Sequence, residues 1–270
     1  MKINKIAIDT GIGQIDEWVG LGWAIAIVVA WFGSGAYFLS HAYGDFSWLA
    51  IGGGILMRTF LHTGLFILAH DAMHGNLCPS SPRWNHLLGS FAVRLYACLS
   101  YEECCANHYK HHHQPGELGD PDFHDGIHAH PCFWYWQFMG KYLSWEQFWG
   151  FVSVFLAIAL PLKYFANVAY LNLLLFGLLP IFLSSIQLFF FGTYLPHGKL
   201  RPMAEKVSEE IPEEQPQPRE TRFSVRSSLR LIWSFVSCYH FGVYHEQHHD
   251  FPRKPWFKLP TTGISQSSIF

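Results

Sequence analysis

From Val19 to Leu39 the chain carries no charged residue. A stretch of about twenty apolar or small residues is what an α-helix needs to cross the hydrocarbon of a bilayer. Trp48 to Ala69, Phe148 to Phe165 and Val168 to Pro196 have the same character, interrupted only by Arg58 and Lys163. Backbone inside a membrane must satisfy its own hydrogen bonds. Four such runs therefore predict an all-α integral membrane protein, with residues 1–270 forming a single domain. Composition agrees: 14% of the residues are charged, against roughly 25% in a soluble domain. The net charge of -2 gives no reason to invoke nucleic acid.

The segments between these runs read differently. Met1 to Glu17 is a polar arm carrying Lys2 and Lys5, without the pattern of a cleavable signal peptide. His41 to Phe46 is a short link, so the first two spans form a tight hairpin. Leu87 to Leu99 is too short to span and carries Arg94, which predicts an interfacial or re-entrant helix. Tyr101 to Tyr142 is polar, aromatic and rich in histidine, as suits a cap outside the hydrocarbon. The fourth run is long enough to tilt or extend beyond the bilayer, with a kink expected at Pro180. Lys199 to Arg222 is rich in Pro and Glu and predicts a mobile, solvated loop. Ser227 to Val243 reads as an apolar helix of marginal length, and the tail from Phe251 as a surface segment. Six cysteines lack any C-x-x-C pair and are read as free, buried thiols.

Charge orients this topology. With a cytoplasmic N-terminus only Lys163 falls on the far side and Arg58 lies within a span, leaving the other sixteen Lys and Arg inside. The same arrangement gathers His70, His74, His197 and two further histidine clusters on that side.

Those clusters carry the chemistry. His245, His248 and His249 stand at i, i+3 and i+4, and so do His108, His111 and His112. On a helix this spacing puts three imidazoles on one face. His70 and His74, at i and i+4, close the second apolar run. These eight imidazoles exceed the three or four that satisfy a tetrahedral zinc. They suit two metals of higher coordination number, and imidazole favours Fe, Zn, Cu or Ni. Iron is the expectation, because a nitrogen-rich iron pair at a membrane surface can activate oxygen. The H-D-A-M-H segment also resembles the zincin pattern, with Asp71 in the Glu position, but that reading would leave both triplets idle. His41, His62 and His86 are expected to be packing or surface groups, and His128 and His130 to face solvent. Arg58 and His62, one turn apart inside a span, are expected to serve a structural polar network.

Five segments together carry a resemblance: H-D-A-M-H-G-N-L (His70 to Leu77), N-H-Y-K-H-H (Asn107 to His112), G-D-P-D-F-H (Gly119 to His124), F-F-G-T-Y-L-P-H (Phe190 to His197) and C-Y-H-F-G-V-Y-H-E-Q-H-H (Cys238 to His249). They resemble the membrane fatty-acid-desaturase superfamily and, within it, bacterial-type β-carotene 4-ketolases. The resemblance implies a membrane di-iron oxygenase that takes β-carotene through echinenone to canthaxanthin with O2 and electrons from a ferredoxin-type donor. It implies His70, His74, His108, His111, His112, His245, His248 and His249 as iron ligands, with His197 as a ninth at the end of a later span. Asp120 or Asp122 is expected behind a ligand as its hydrogen-bond acceptor, unless both merely shape a turn. His113, His124 and His240 are each open as a ligand, as a group behind a ligand (the reading for His124 and His240), or as neither. A carotenoid 3-hydroxylase or lipid desaturase on the same scaffold, and a membrane metal transporter, are the alternatives.

Overall fold

The computed structural model describes residues 14–198 and 225–261, and those residues contain helices and turns but no strand. The arm carrying Lys2 and Lys5 and the loop expected over 199–222 lie outside the described residues.

Among the described residues four helices are long and apolar enough to cross a membrane: α1 (Gln14–Ser40), α2 (Trp48–Met73), α6 (Trp145–Tyr164) and α7 (Tyr170–His197). Around them lie α3 (Pro82–Ala97), α4 (Tyr101–His113), α5 (Pro131–Tyr142), α8 (Val225–Cys238) and the short α9 (His245–Asp250). Serine starts several of them. Ser47, Ser100 and Ser144 each accept a backbone N–H from the first turn, and Ser144 forms a reciprocal capping box with Gln147.

α2 is the central post. It packs against α1, α3 and α7, and its inner face buries Leu65, Ile67, Leu68, Ala69 and Ala72. Two glycines permit the close approaches. A Cβ on Gly64 would lie 2.5 Å from the Tyr239 hydroxyl, and one on Gly89 2.7 Å from Ala72 Cβ. By contrast α6 buries only Ala159 and otherwise presents an apolar surface, as a lipid-facing helix does.

Several expected boundaries shift. α1 begins at Gln14, so residues 14–17 belong to the helix rather than to the polar arm. Asp16 and Glu17 occupy its first turn, where the helix dipole favours negative charge. Asp16 pairs with Lys258, and Glu17 accepts from the Ser80 hydroxyl and backbone. The helix expected from Leu87 starts at Pro82 and packs along α2 with Asn85, Gly89, Val93 and Tyr96 inward. The helix expected to reach Val243 ends at Cys238 instead. There Tyr239 and His240 adopt φ values of 46° and 74°. This turn is held by the Tyr239 ring stacked on Phe60 at 4.3 Å, and by a 2.7 Å bond between Ser234 Oγ and His240 Nδ1. All six cysteines are free, but only Cys78, Cys104 and Cys238 are buried, and Cys132 is exposed.

Within α7 the backbone widens into π-helical turns at Leu173–Leu178 and Leu188–Tyr194, each ending two residues before a proline, Pro180 or Pro196. A proline has no N–H for the carbonyl four residues back, which for Pro180 is that of Phe176. Arg58 Nε donates to that carbonyl at 3.0 Å, while Arg58 Nη1 donates to Trp31 O. Trp31 Nε1 in turn donates to His62 Nδ1 at 3.1 Å. Arg58, through two backbone carbonyls, and His62, through the Trp31 indole, thus knit α1, α2 and α7 together.

Candidate metal centre

Four elements deliver histidine to one end of the bundle. The last turn of α2 supplies His70, with His74 as its C-cap. One face of α4 supplies His108, His111 and His112, α7 ends in His197, and α9 supplies His245, His248 and His249. The left-handed turn at Tyr239 and His240 is what redirects the chain from α8 into α9.

The nine imidazoles fall into two groups: His70, His74, His108, His112 and His248, and His111, His197, His245 and His249. Within each group the ligand atoms lie within 4.8 Å of one another. The contacts are nitrogen to nitrogen. His112 meets His248 at 3.0 Å, His111 meets His249 at 3.1 Å, and His245 meets His197 at 2.9 Å and His249 at 3.0 Å, all through Nε2. A neutral imidazole has one N–H to give, so facing nitrogens at this density call for a cation.

Electrostatics keep the lone pairs available. Burial, with the neighbouring imidazoles, holds His108, His245 and His248 well below the usual histidine range. The same causes bring His112 down to about 2. His111 is the exception. Burial alone would lower it, but the Asp122 charge and the Asp120 hydrogen bond outweigh burial and raise it.

Asp120 is the acceptor behind a histidine that the sequence pointed to. Its carboxylate lies 2.9 and 3.0 Å from His111 Nδ1 and also accepts the backbone N–H groups of Gly116 and Asp122, each at 2.8 Å. Burial would raise this acid, but the bond to His111 outweighs it and lowers it. Asp122 is placed differently: it accepts from the Tyr142 hydroxyl, and burial raises its pKa. The other uncertain histidines stand apart from both groups. His113 is exposed, His124 stacks against Phe123 and Trp134, and His240 bonds Ser234 and stacks on Trp256. Asp71 faces the C-terminal segment, accepting from Trp256 N at 3.2 Å. That leaves the zincin pattern without its acid at the site.

Of two adjacent cavities, only the smaller is lined by imidazoles. A small one of about 70 Å³ is lined by His70, His108, His111, His245 and His248. A larger one of about 730 Å³ runs between α3, α5, α6 and α7, and its lining is almost wholly aromatic and aliphatic. Phe133, Trp136 and Phe182 on its rim are exposed, so it opens onto the apolar flank of the bundle. No sequence signal marks these lining residues, because aromatic residues at helical spacing look the same in plain packing.

Nine clustered imidazoles at one end of a bundle with four long apolar helices define the class. Residues 46–263 match the fatty acid desaturase family, and the chain belongs to it as an integral membrane protein. It is 35% identical over 252 residues to a β-carotene ketolase of Paracoccus sp. (strain PC1), covering 92% of this chain and 93% of the relative. A second β-carotene ketolase, from Paracoccus sp. (strain N81106 / MBIC 01143), is 38% identical over 76% of this chain and 75% of the relative. A zeaxanthin 4-ketolase of Chlamydomonas reinhardtii is 36% identical over 79% of this chain and 44% of its own length. No solved structure matches the chain.

Proposed function

We propose that this protein is an O2-dependent di-iron ketolase that oxidises C4 and C4′ of the β-ionone rings of β-carotene. One juxtaposition supports the reading: both imidazole groups line a small cavity that shares four residues with a large apolar one. Similarity over most of the chain to β-carotene ketolases supplies the substrate. On this reading His70, His74, His108, His112 and His248 hold one iron, and His111, His197, His245 and His249 the other. Bound iron supplies the activation of O2, with electrons from a ferredoxin-type carrier, chemistry that no side chain here performs.

The chain's own residues do the rest. Asp120 takes the Nδ1–H of His111 and so turns its Nε2 lone pair inward. Phe66, Phe138 and Leu188 receive the ring and exclude water. The C4–H bond is allylic, so the radical left by its cleavage is delocalised into the polyene. Two hydroxylations at C4 give a geminal diol, and loss of water leaves the ketone, through echinenone to canthaxanthin. The Lys and Arg distribution supports a cytoplasmic N-terminus and metal centre.

Expression in a host that makes β-carotene, with pigment analysis beside a His248→Ala control, tests the proposal. Echinenone and canthaxanthin are expected from the wild-type chain and neither from the control. Zeaxanthin would mark a 3-hydroxylase, and unchanged pigment overturns the reading. Bound metal without oxygen-dependent turnover would favour a metal carrier.

A further inference from the structure

The two cavities share four lining residues: Phe66 of α2, Phe138 and Tyr142 of α5, and Leu188 of α7. They stand at the boundary between the apolar cavity and the imidazoles. Phe138 and Tyr142 are one turn apart on one helix face. Three of the four present only hydrocarbon. The fourth carries a hydroxyl, and that hydroxyl donates to Asp122.

Asp122 is itself fixed. Its N–H donates to Asp120 Oδ1 at 2.8 Å, and its carbonyl accepts from Trp134 Nε1 at 2.9 Å. Asp120 is the carboxylate that holds His111. A continuous series of bonds therefore ties the Tyr142 ring to a histidine of the second imidazole group. The Tyr142 ring cannot swing without breaking a bond to a buried carboxylate, so its place relative to that histidine is set.

A rod-like polyene can slide along its own axis in a cavity walled by hydrocarbon. Neighbouring ring carbons differ in position by only one bond length, and a shift of about 1 Å in a bound substrate can cost on the order of a hundredfold in rate. Something at the boundary between the cavities must fix the depth of entry. We propose that Tyr142, latched by Asp122, is the positioning residue that sets how far a carotenoid end ring enters and so which ring carbon faces the metal pair. This inference rests on the ketolase reading.

Tyr142→Phe keeps the ring and removes the latch. Asp122→Asn keeps an acceptor oxygen for the Tyr142 hydroxyl and serves as the conservative variant. Three readouts are compared: metal content of the purified protein, absorption of β-carotene bound to the metal-free protein in detergent, and products in β-carotene-producing cells. For Tyr142→Phe, metal content and carotenoid binding are expected to stay as in the wild type, while the absorption of the bound polyene broadens as several depths are sampled. The 4-keto product is expected to fall about tenfold and products oxidised elsewhere on the ring to appear. Asp122→Asn is expected to lie nearer the wild type on both counts. Wild-type absorption in Tyr142→Phe overturns the proposal, as does a loss of product that tracks loss of metal. A wild-type chain that makes no ketone overturns the functional reading instead, and the absorption comparison still decides whether Tyr142 fixes the depth of binding.

Discussion

At Asp120 one carboxylate serves His111 Nδ1 and two backbone N–H groups. Asp120→Ala strips His111 of its acceptor, and loss of such a partner typically weakens metal binding by about 10–100-fold. Chelator competition on the purified protein checks this. Wild-type affinity would mean that the ring is oriented by something else. The histidines were legible from sequence because residue type and spacing both pointed to them: i, i+3 and i+4 on a helix face leaves little choice about which side chains cluster. Asp120 and Asp122 were not separable on that basis. They sit two residues apart in one turn, and only the folded turn decides that the first faces His111 and the second faces Tyr142. His240 shows the opposite limit. It sits in a histidine-rich motif, yet its left-handed backbone turns its ring to Ser234 and Trp256.

Among the elements, α2 and α7 depend on a cation in the bundle interior. Arg58→Met leaves the Phe176 carbonyl without this donor, at about 1–3 kcal/mol for a buried unsatisfied group, whereas Trp31 O keeps the Ser34 hydroxyl. Thermal unfolding in detergent is expected to show that loss. Pro180→Ala restores an N–H opposite Phe176, so the double variant is expected to lose less than the two single losses combined. Strict additivity would break the link between Arg58 and the proline. Gly64→Ala drives a methyl group into the Tyr239 hydroxyl and Ile27. Overpacking of this kind costs about 1–3 kcal/mol. Because Tyr239 anchors the turn into α9, this variant is also expected to bind metal less tightly, read as metal content after gel filtration. The four long helices were readable from apolar length alone. The end of α8 was not, since Tyr239 and His240 carry no local preference for positive φ. Stacking on Phe60 and the bond to Ser234 impose it.

Across the whole molecule, nine imidazoles from four helices meet at one end. Metal that binds only the folded chain stabilises it by about 3 kcal/mol at a hundredfold excess over its dissociation constant. Chelation is therefore expected to lower the unfolding temperature and to speed amide exchange in α4 and α9, leaving α1 and α6 unchanged. Equal effects on all four helices would place the metal's influence elsewhere. Sequence placed the histidines at a common end through span lengths and basic residues, but it held no sign of the two cavities, since a void between helices belongs to their packing and not to any one segment. Those cavities share Phe66, Phe138, Tyr142 and Leu188. On the proposed ketolase reading, a pigment with a ring at each tip offers one tip at a time, so it backs out into the lipid, turns end over end and docks again before the second is oxidised. The half-finished pigment is then common property of the membrane, open to capture by any neighbouring enzyme, and the balance between one-sided and two-sided products becomes a race between re-docking and diffusion.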